Sequence, residues 1–512
     1  MKSRAYVDAL EVSERPHKAW RIQDKPHHEA DDELPTLTYG PFVGRIEPSA
    51  HTPSPQQFMQ GTTAPGAQGP VTFRTFTGSE RSGTWPPDCS GARGGDVVLM
   101  SGNLWLKLSV DRGVTFTDLD FTKLFAADTT YGGWAGDQVV IYVPSIDCFV
   151  LYVQSYAPKS GTRKNQNVVK LALASPADLI KHKGGKAAWG RQWNFTSDTF
   201  GLGATWLDFP DLSYGQNYLF VNTNLIAGTS RKLFWELPLA DLAAGRSLSF
   251  LFAVLTDSVG SPIQNISGDD SYFAGHINNS TMRIFHSRGG DPNYDWRDRN
   301  LANWPMTTDN DIVSAAPDWK DWVSEDHRII GATRRRNELW FAWSASTGDG
   351  GGGGFKFPHA HVQIAKFDLT QDYKLLEQTQ VWNPDHAYCY PSLTTNADDE
   401  VGISLAWGGG GKYYGSHAVG ILGDFVVWYG EASDETSLRQ AQDDDGNLLT
   451  NPDGTPLMYS RWGDYVHVRL AHPDRRFFSA FGYAVHKDPA GERMQFLYVE
   501  FGRQALPYPG LR

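Results

Sequence analysis

Six places along this chain set ionisable or aromatic side chains at the corner where a strand-like apolar run begins. In order they supply Asp137, then Asp208 with Asp211, Asp269 with Asp270, Glu325 with Asp326, His327 and Arg328, Tyr388 with Tyr390, and finally Asp464. Carboxylates set beside an imidazole or a phenol form an acid–base set, in which one group donates a proton and another takes one up. Carboxylates about 5 Å apart suit a retaining glycosidase, and wider ones an inverting enzyme. A Tyr or His beside an arginine suits an elimination instead, with the guanidinium neutralising a uronate carboxylate while the other group moves the proton. The candidate catalytic set is therefore Asp137, Asp211, Asp270, Glu325, Asp326, His327, Arg328, Tyr390 and Asp464. A plainer role competes for each: an Asp at such a corner bonds neighbouring backbone amides, and a lone His is commonly a hydrogen-bonded structural residue. Alternation along a strand also sends His327 and Arg328 to opposite faces.

These corners belong to a repeated unit. Two apolar strands joined by a tight turn recur from Gly94 (GGDVVLMSGNLWLKLSVDRGVTFT), Gly136, Asp208, Asp269, Glu325, Tyr390 and Trp462. Hairpins returning at intervals of about 40 to 75 residues point to radial repetition and not to one continuous sandwich. The expected fold is all-β: a seven-bladed β-propeller, or a six-bladed one because the first two units lie so close together. The first strand of each unit would then aim its leading side chains at one shared mouth. Residues 1–90 read as an irregular N-terminal arm packed on the ring and supplying an outer strand, 91–502 as the propeller and 503–512 as a C-terminal tail. Ser175-Pro176 and Gly245 mark the start and the end of two short helices between strands.

Composition agrees with sheets packed face to face. Of 512 residues 13% are aromatic, 18 of them Trp, and 52 glycines serve the turns. A net charge of −12 argues against a nucleic-acid partner. No apolar run approaches the length of a membrane span. The start lacks the apolar stretch of a secretory signal, which leaves the compartment open and an extracellular or cell-surface setting admissible. Three cysteines, Cys89, Cys148 and Cys389, allow one bridge at most and lack metal-ligand spacing. Nucleotide-binding loops and the Gly-x-Ser-x-Gly elbow are both missing. Trp134, Trp206, Trp296, Trp304, Trp319, Trp322, Trp382 and Trp407 lie near loops or strand ends, where an exposed indole face would stack on a sugar ring.

Ser109-Val110-Asp111-Arg112-Gly113-Val114-Thr115-Phe116 fits the pattern Ser-x-Asp-x-Gly-x-Thr-Phe/Trp at every fixed position. With the hairpins and the RWGDY segment Arg461–Tyr465, this motif resembles the Asp box of sialidase-like (BNR-repeat) β-propellers. The resemblance covers roughly residues 94 to 500 and implies a propeller, with the box marking a hairpin turn. That family's enzymes carry Phe/Tyr-Arg-Ile-Pro near the start. Here Gly44-Arg45-Ile46-Glu47-Pro48 has an extra residue and lacks the aromatic, so no arginine triad is assigned.

The functional expectation is a carbohydrate-active propeller that acts on a glycan or polysaccharide at the channel mouth, as a glycoside hydrolase or as a polysaccharide lyase using His/Tyr and Arg. The alternative is a non-catalytic module that binds glycan or protein, or a structural subunit of an assembly. Acidic side chains meeting on one axis would also suit a structural Ca²⁺. The Asp443–Asn447 run resembles a calcium loop, but Ala441 and Pro452 occupy ligand positions, and it reads as a turn.

Overall fold

The structure is a computed structural model. It describes residues 2–3, 5–8, 44–45 and 71–82, and from 88 to 503 all residues except 127–129, 132, 159–160, 162–165, 227–230, 256–259, 307–326, 350–355, 384–386, 410–412, 423–425, 430–437, 441–447, 449, 457, 461–462 and 489–490.

Antiparallel sheets follow one another along the chain, each a meander whose strands keep sequence order. Val139–Val143, Cys148–Gln154, Val168–Ala174 and Arg191–Thr196 form one. The next starts at Trp206–Tyr214, another contains Asp270–Asn278, and two more start at Ile329–Arg335 and Ala387–Thr395. An eight-stranded sheet holds both ends of the ring. Its halves, starting at Ser90–Gly94 and His467–His472, pair as strands only through Ala471↔Arg93 and His472↔Gly94.

The middle strands read as unbroken apolar runs because neighbouring sheets cover both of their faces. Every residue of Cys148–Gln154 and Val168–Ala174 is buried. Each adjacent pair of sheets shares its own apolar layer. Phe220 and Phe234 pack with Phe273 and Phe285 in one such layer, and Ile284 with Phe341 in the next. Val419 packs with Phe478 further round, and Met100 with Phe481 closes the circuit. Sheets that pack cyclically around an axis make a β-propeller. The ring is tied shut by antiparallel pairing of Val71–Ser82 with the last strand, Gly491–Arg503. Three earlier segments line outer edges: Lys2–Ser3 on Asn293–Asn300, Ala5–Asp8 on Ser249–Leu255, and Gly44–Arg45 on Lys374–Trp382.

Two expected units are displaced by one strand. The first sheet opens at Ser90–Gly94, before the Gly94 unit that the sequence suggested. In the sheet of Asp270–Asn278 an earlier segment lies nearest the axis. Gly260 and Ile263 donate to Ala274 and Tyr272 on one side, while Ser261 and Gln264 donate to Ile329 and Ala332 of the next sheet. Asp269 and Asp270 thus sit at a turn at the far end of the ring. Both innermost segments (SGARG and GSPIQ) are short and rich in small or polar residues, so no apolar alternation marks them.

The Ser109–Phe116 turn is held by its own side chains. Ser109 Oγ accepts from Gly113 N at 2.7 Å, and Asp111 accepts from Thr115 N at 2.9 Å and Thr115 Oγ1 at 2.6 Å. The Phe116 ring packs edge-on against Phe496 at 5.3 Å. The three cysteines are buried and free.

Candidate active site

The first strands run side by side in one direction, so their leading residues gather at one end of the axis. Asp88, Asp137 and Asp464 meet there, each offering a carboxylate oxygen within 4.8 Å of the others. Hydrogen bonds between sheets fix the group. Asp88 Oδ1 accepts from Asp464 N at 2.6 Å, and Oδ2 from Asn103 Nδ2 at 2.7 Å. Asn103 Oδ1 in turn accepts from Asp137 N at 2.6 Å. A fourth carboxylate joins through Gln154, whose Nε2 donates to both Asp137 Oδ2 and Asp208 Oδ1 at 3.0 Å. Phe209 N also donates to Asp137 Oδ2, at 3.3 Å.

Burial, the charges of Asp208, Asp88 and Asp464, and a hydrogen bond with Asp208 hold the Asp137 carboxyl well above the usual carboxylate range. A carboxyl raised in this way by burial and neighbouring carboxylates is suited to act as a general acid. The Arg328 guanidinium lies 4.0 Å over the Phe209 ring. Burial lowers its pKa, against the opposing pull of Asp464, Asp208 and Asp137. Burial also pushes the Tyr465 and Tyr483 phenols up, so they stay neutral hydrogen-bonding walls.

The backbone is unusual here. Asp88 (φ 42), Asp137 (φ 59), Phe209 (φ 45) and Tyr390 (φ 57) all occupy the left-handed region. Asp tolerates it, but bulky Phe and Tyr rarely do. Phe209 and Tyr390 sit in matching bulges, between Asp208 and Asp211 on one first strand and between Cys389 and Ser392 on another. Bulges re-aim side chains, and strain of this kind collects at functional sites.

Of the nine expected residues, Asp137, Arg328, Tyr390 and Asp464 belong to this end of the axis. Tyr390 is fully buried in the central layer with Tyr483. Asp211 sits deeper along the channel, 3.2 Å from Arg469 Nη2 and 3.8 Å from His467 Nε2. The bulge after Asp208 carries it down and away from the mouth. Asp270 serves the far end, paired with His286 at 3.1 Å and Arg288 at 3.0 Å. His327 turns away from Arg328: its Nδ1 donates to Ser344 O at 2.8 Å and its ring packs against Trp304. Glu325 and Asp326 lie outside the described residues, as does Asp443–Asn447. The sugar-stacking expectation fails for Trp134, Trp296, Trp304 and Trp407, which are buried. Trp206 and Trp382 are half-buried, and Trp319 and Trp322 lie outside the described residues.

Asp88, Asn103 and Gln154 were not anticipated, and Asp208 was named only as a strand-leading residue. Asp88 stands two residues before Ser90–Gly94, much as Asp464 stands three before His467–His472. That spacing was the available signal, hidden because SGARG does not look like a strand.

No protein family signature matches the chain, and no curated protein sequence resembles it. Among solved structures it is similar to the β-propeller domain of the Trilobed protease from Pyrococcus furiosus, at 8% identity and TM-score 0.37 over 85% of this chain and 99% of that one. It is also similar to an α-L-arabinofuranosidase from Fusarium graminearum in complex with an iminosugar inhibitor, at 9% identity and TM-score 0.34 over 85% and 98%. A family 117 glycoside hydrolase from the marine bacterium Zobellia galactanivorans follows at 11% identity and TM-score 0.29, over 64% and 94%. Overlap at this level leaves the chemistry to the residues themselves.

Proposed function

We propose that this chain is a carbohydrate-active enzyme that cleaves a glycosidic bond at the carboxylate end of its axis. The carrying observation is geometric: Asp88, Asp137 and Asp464 offer carboxylate oxygens within 4.8 Å of one another, and burial and these neighbours raise the Asp137 carboxyl. Asp137 gives its proton to the leaving oxygen, and the Asp464 carboxylate faces the developing cationic sugar carbon. A separation within 4.8 Å lies nearer the roughly 5 Å spacing of retaining enzymes than the wider spacing of inverting ones. Arg328 on Phe209 binds and orients an anionic or hydroxyl group of the substrate. Elimination would have to use Tyr390 with Arg328, since the His327 Nδ1 is taken by Ser344 O.

In this reading the two halves of the eight-stranded sheet are separate blades joined by a two-residue strand pairing, which makes seven blades with the five other sheets of four or five strands. The Ser109–Phe116 turn supports kinship with sialidase-like propellers. We take the ring to run from Ser90 to Arg503, with Val71–Ser82 as an outer strand of its closing blade.

The test is turnover of a panel of neutral glycans and uronate polymers, read by new reducing ends for hydrolysis and by ultraviolet absorbance for elimination. Asp137→Asn and Asp464→Asn should each lower the rate by about 10²–10⁴-fold. An inert panel, or an Asp137→Asn enzyme as fast as wild type, would remove the proposal.

One observation favours a second reading. Three carboxylate oxygens this close also suit a Ca²⁺, with water or sugar hydroxyls completing its six to eight oxygens. The fit is partial, since both Asp88 oxygens already accept hydrogen bonds. Thermal melts with Ca²⁺ against a chelator separate the two: a Ca²⁺-dependent rise that Asp464→Asn abolishes favours the ion.

A further inference from the structure

The opposite end of the axis carries a second site of inverse charge. A cavity of about 360 Å³ opens there, lined by Tyr142, Tyr214, Gln264, Arg469, His472 and Arg475 among others. Its volume suits a small organic ligand. No lining residue bears a carboxylate, although the chain as a whole is strongly acidic.

The two arginines differ in kind. Arg469 is buried, and its Nη2 donates to Asp211 Oδ1 at 3.2 Å. Its buried Nε has no acceptor among the described residues. Arg475 is exposed and forms no ion pair among the described residues. Opposite them, His472 Nε2 lies 3.1 Å from Tyr214 Oη. Burial and the charges of Arg475 and Arg93 hold His472 neutral, pushed down to about 4. The rim thus has one compensated cation, one uncompensated cation and a neutral polar wall. An arginine pair of this type recognises planar or tetrahedral oxyanions.

We propose that this cavity binds a small oxyanion-bearing molecule, with its carboxylate, sulfate or phosphate group between Arg469 and Arg475. The site is separate from the proposed catalytic end. One face of the ring would work on the substrate while the other senses or holds an anion.

Isothermal titration of the full chain with sodium phosphate, sodium sulfate and sodium glucuronate, at fixed ionic strength, tests this. At least one probe should bind saturably at one site, and Arg475→Gln should weaken it about tenfold or more while Asp137→Asn leaves it unchanged. Arg475 is exposed, so its variant should fold as wild type, with a thermal melt as the check. Preference for glucuronate identifies a carboxylate ligand, and preference for phosphate or sulfate a tetrahedral one. Failure of all three probes to bind, equal affinity in Arg475→Gln, or loss in Asp137→Asn alone overturns the proposal.

Discussion

The main-chain amide of Asp464 donates to Oδ1 of Asp88 at 2.6 Å, across 376 residues of sequence. The first and last turns of the ring thereby meet at the candidate site, so closing the ring and building the site are one event. Gly463 permits the contact. Its φ is 151, and a Cβ there would lie 2.2 Å from Tyr483 Oη and 2.4 Å from Asp88 Oδ1. Gly463→Ala should therefore cost about 2 kcal/mol or more. Denaturant midpoints measure the loss, and a neutral result would mean that the loop has room to move.

Asp137 should trade stability for function. Its raised pKa means that it favours folding only while protonated. That contribution is complete below the unfolded value and is lost as pH rises through the folded one. At neutral pH the unfolded chain has this group ionised, so holding it protonated in the fold costs stability. Asp137→Asn should raise the melting temperature at pH 7, raise it less at pH 4, and remove turnover. Melts at both pH values decide it, and a lower melting temperature at pH 7 would contradict the assignment.

Glu500 should be costly to remove. It lies on the last strand, 3% exposed, and pairs with buried Arg93 of the first inner strand and, at 3.2 Å, with Arg112. Glu500→Ala would leave Arg93 buried without its partner, at a cost of about 3–5 kcal/mol. Hydrogen exchange should show faster opening in Ser90–Gly94 and Gly491–Arg503 before the other sheets.

Acid should unfold the protein early. Burial pushes His276, His361, His417 and His467 down to about 3, and His472 to about 4. Each is neutral when folded and titrates near 6.5 when unfolded. Stability is then full above that value and falls as pH drops toward the folded one, by up to about 1.4 kcal/mol per pH unit for each group. His286 opposes the trend: Asp295 and Asp270 outweigh its burial and raise it. Denaturation curves from pH 7 to 4 should steepen together, and His417→Gln should remove about one such increment. A flat profile over that range would contradict the burial of these rings.

Much of the local structure was legible in the residues. Ser175 caps the helix Pro176–Lys181 by accepting from Asp178 N, and Gly245 ends Leu239–Ala244 at φ 65, both where turn chemistry placed them. Hairpins with apolar alternation were legible too, because a strand covered by a neighbouring sheet must be apolar. The innermost segments were not. They face a polar axis, so Ser90–Gly94 and 260–264 carry no such signal. That slip hid Asp88 and misplaced Asp270. Asp211 was hidden for another reason: a bulge decides which way its side chain points, and residue type does not record a bulge, whereas the opposite facing of His327 and Arg328 follows from strand alternation.

Sequence alone determined that the chain is a run of β-hairpins with acidic corners, since strand periodicity and turn chemistry are local properties that a few neighbouring residues settle. Only the tertiary structure decided which corners meet. Asp88, Asp137, Asp208 and Asp464 come together because separate sheets close on one axis, and the distance between two side chains on different sheets is a property of the whole ring.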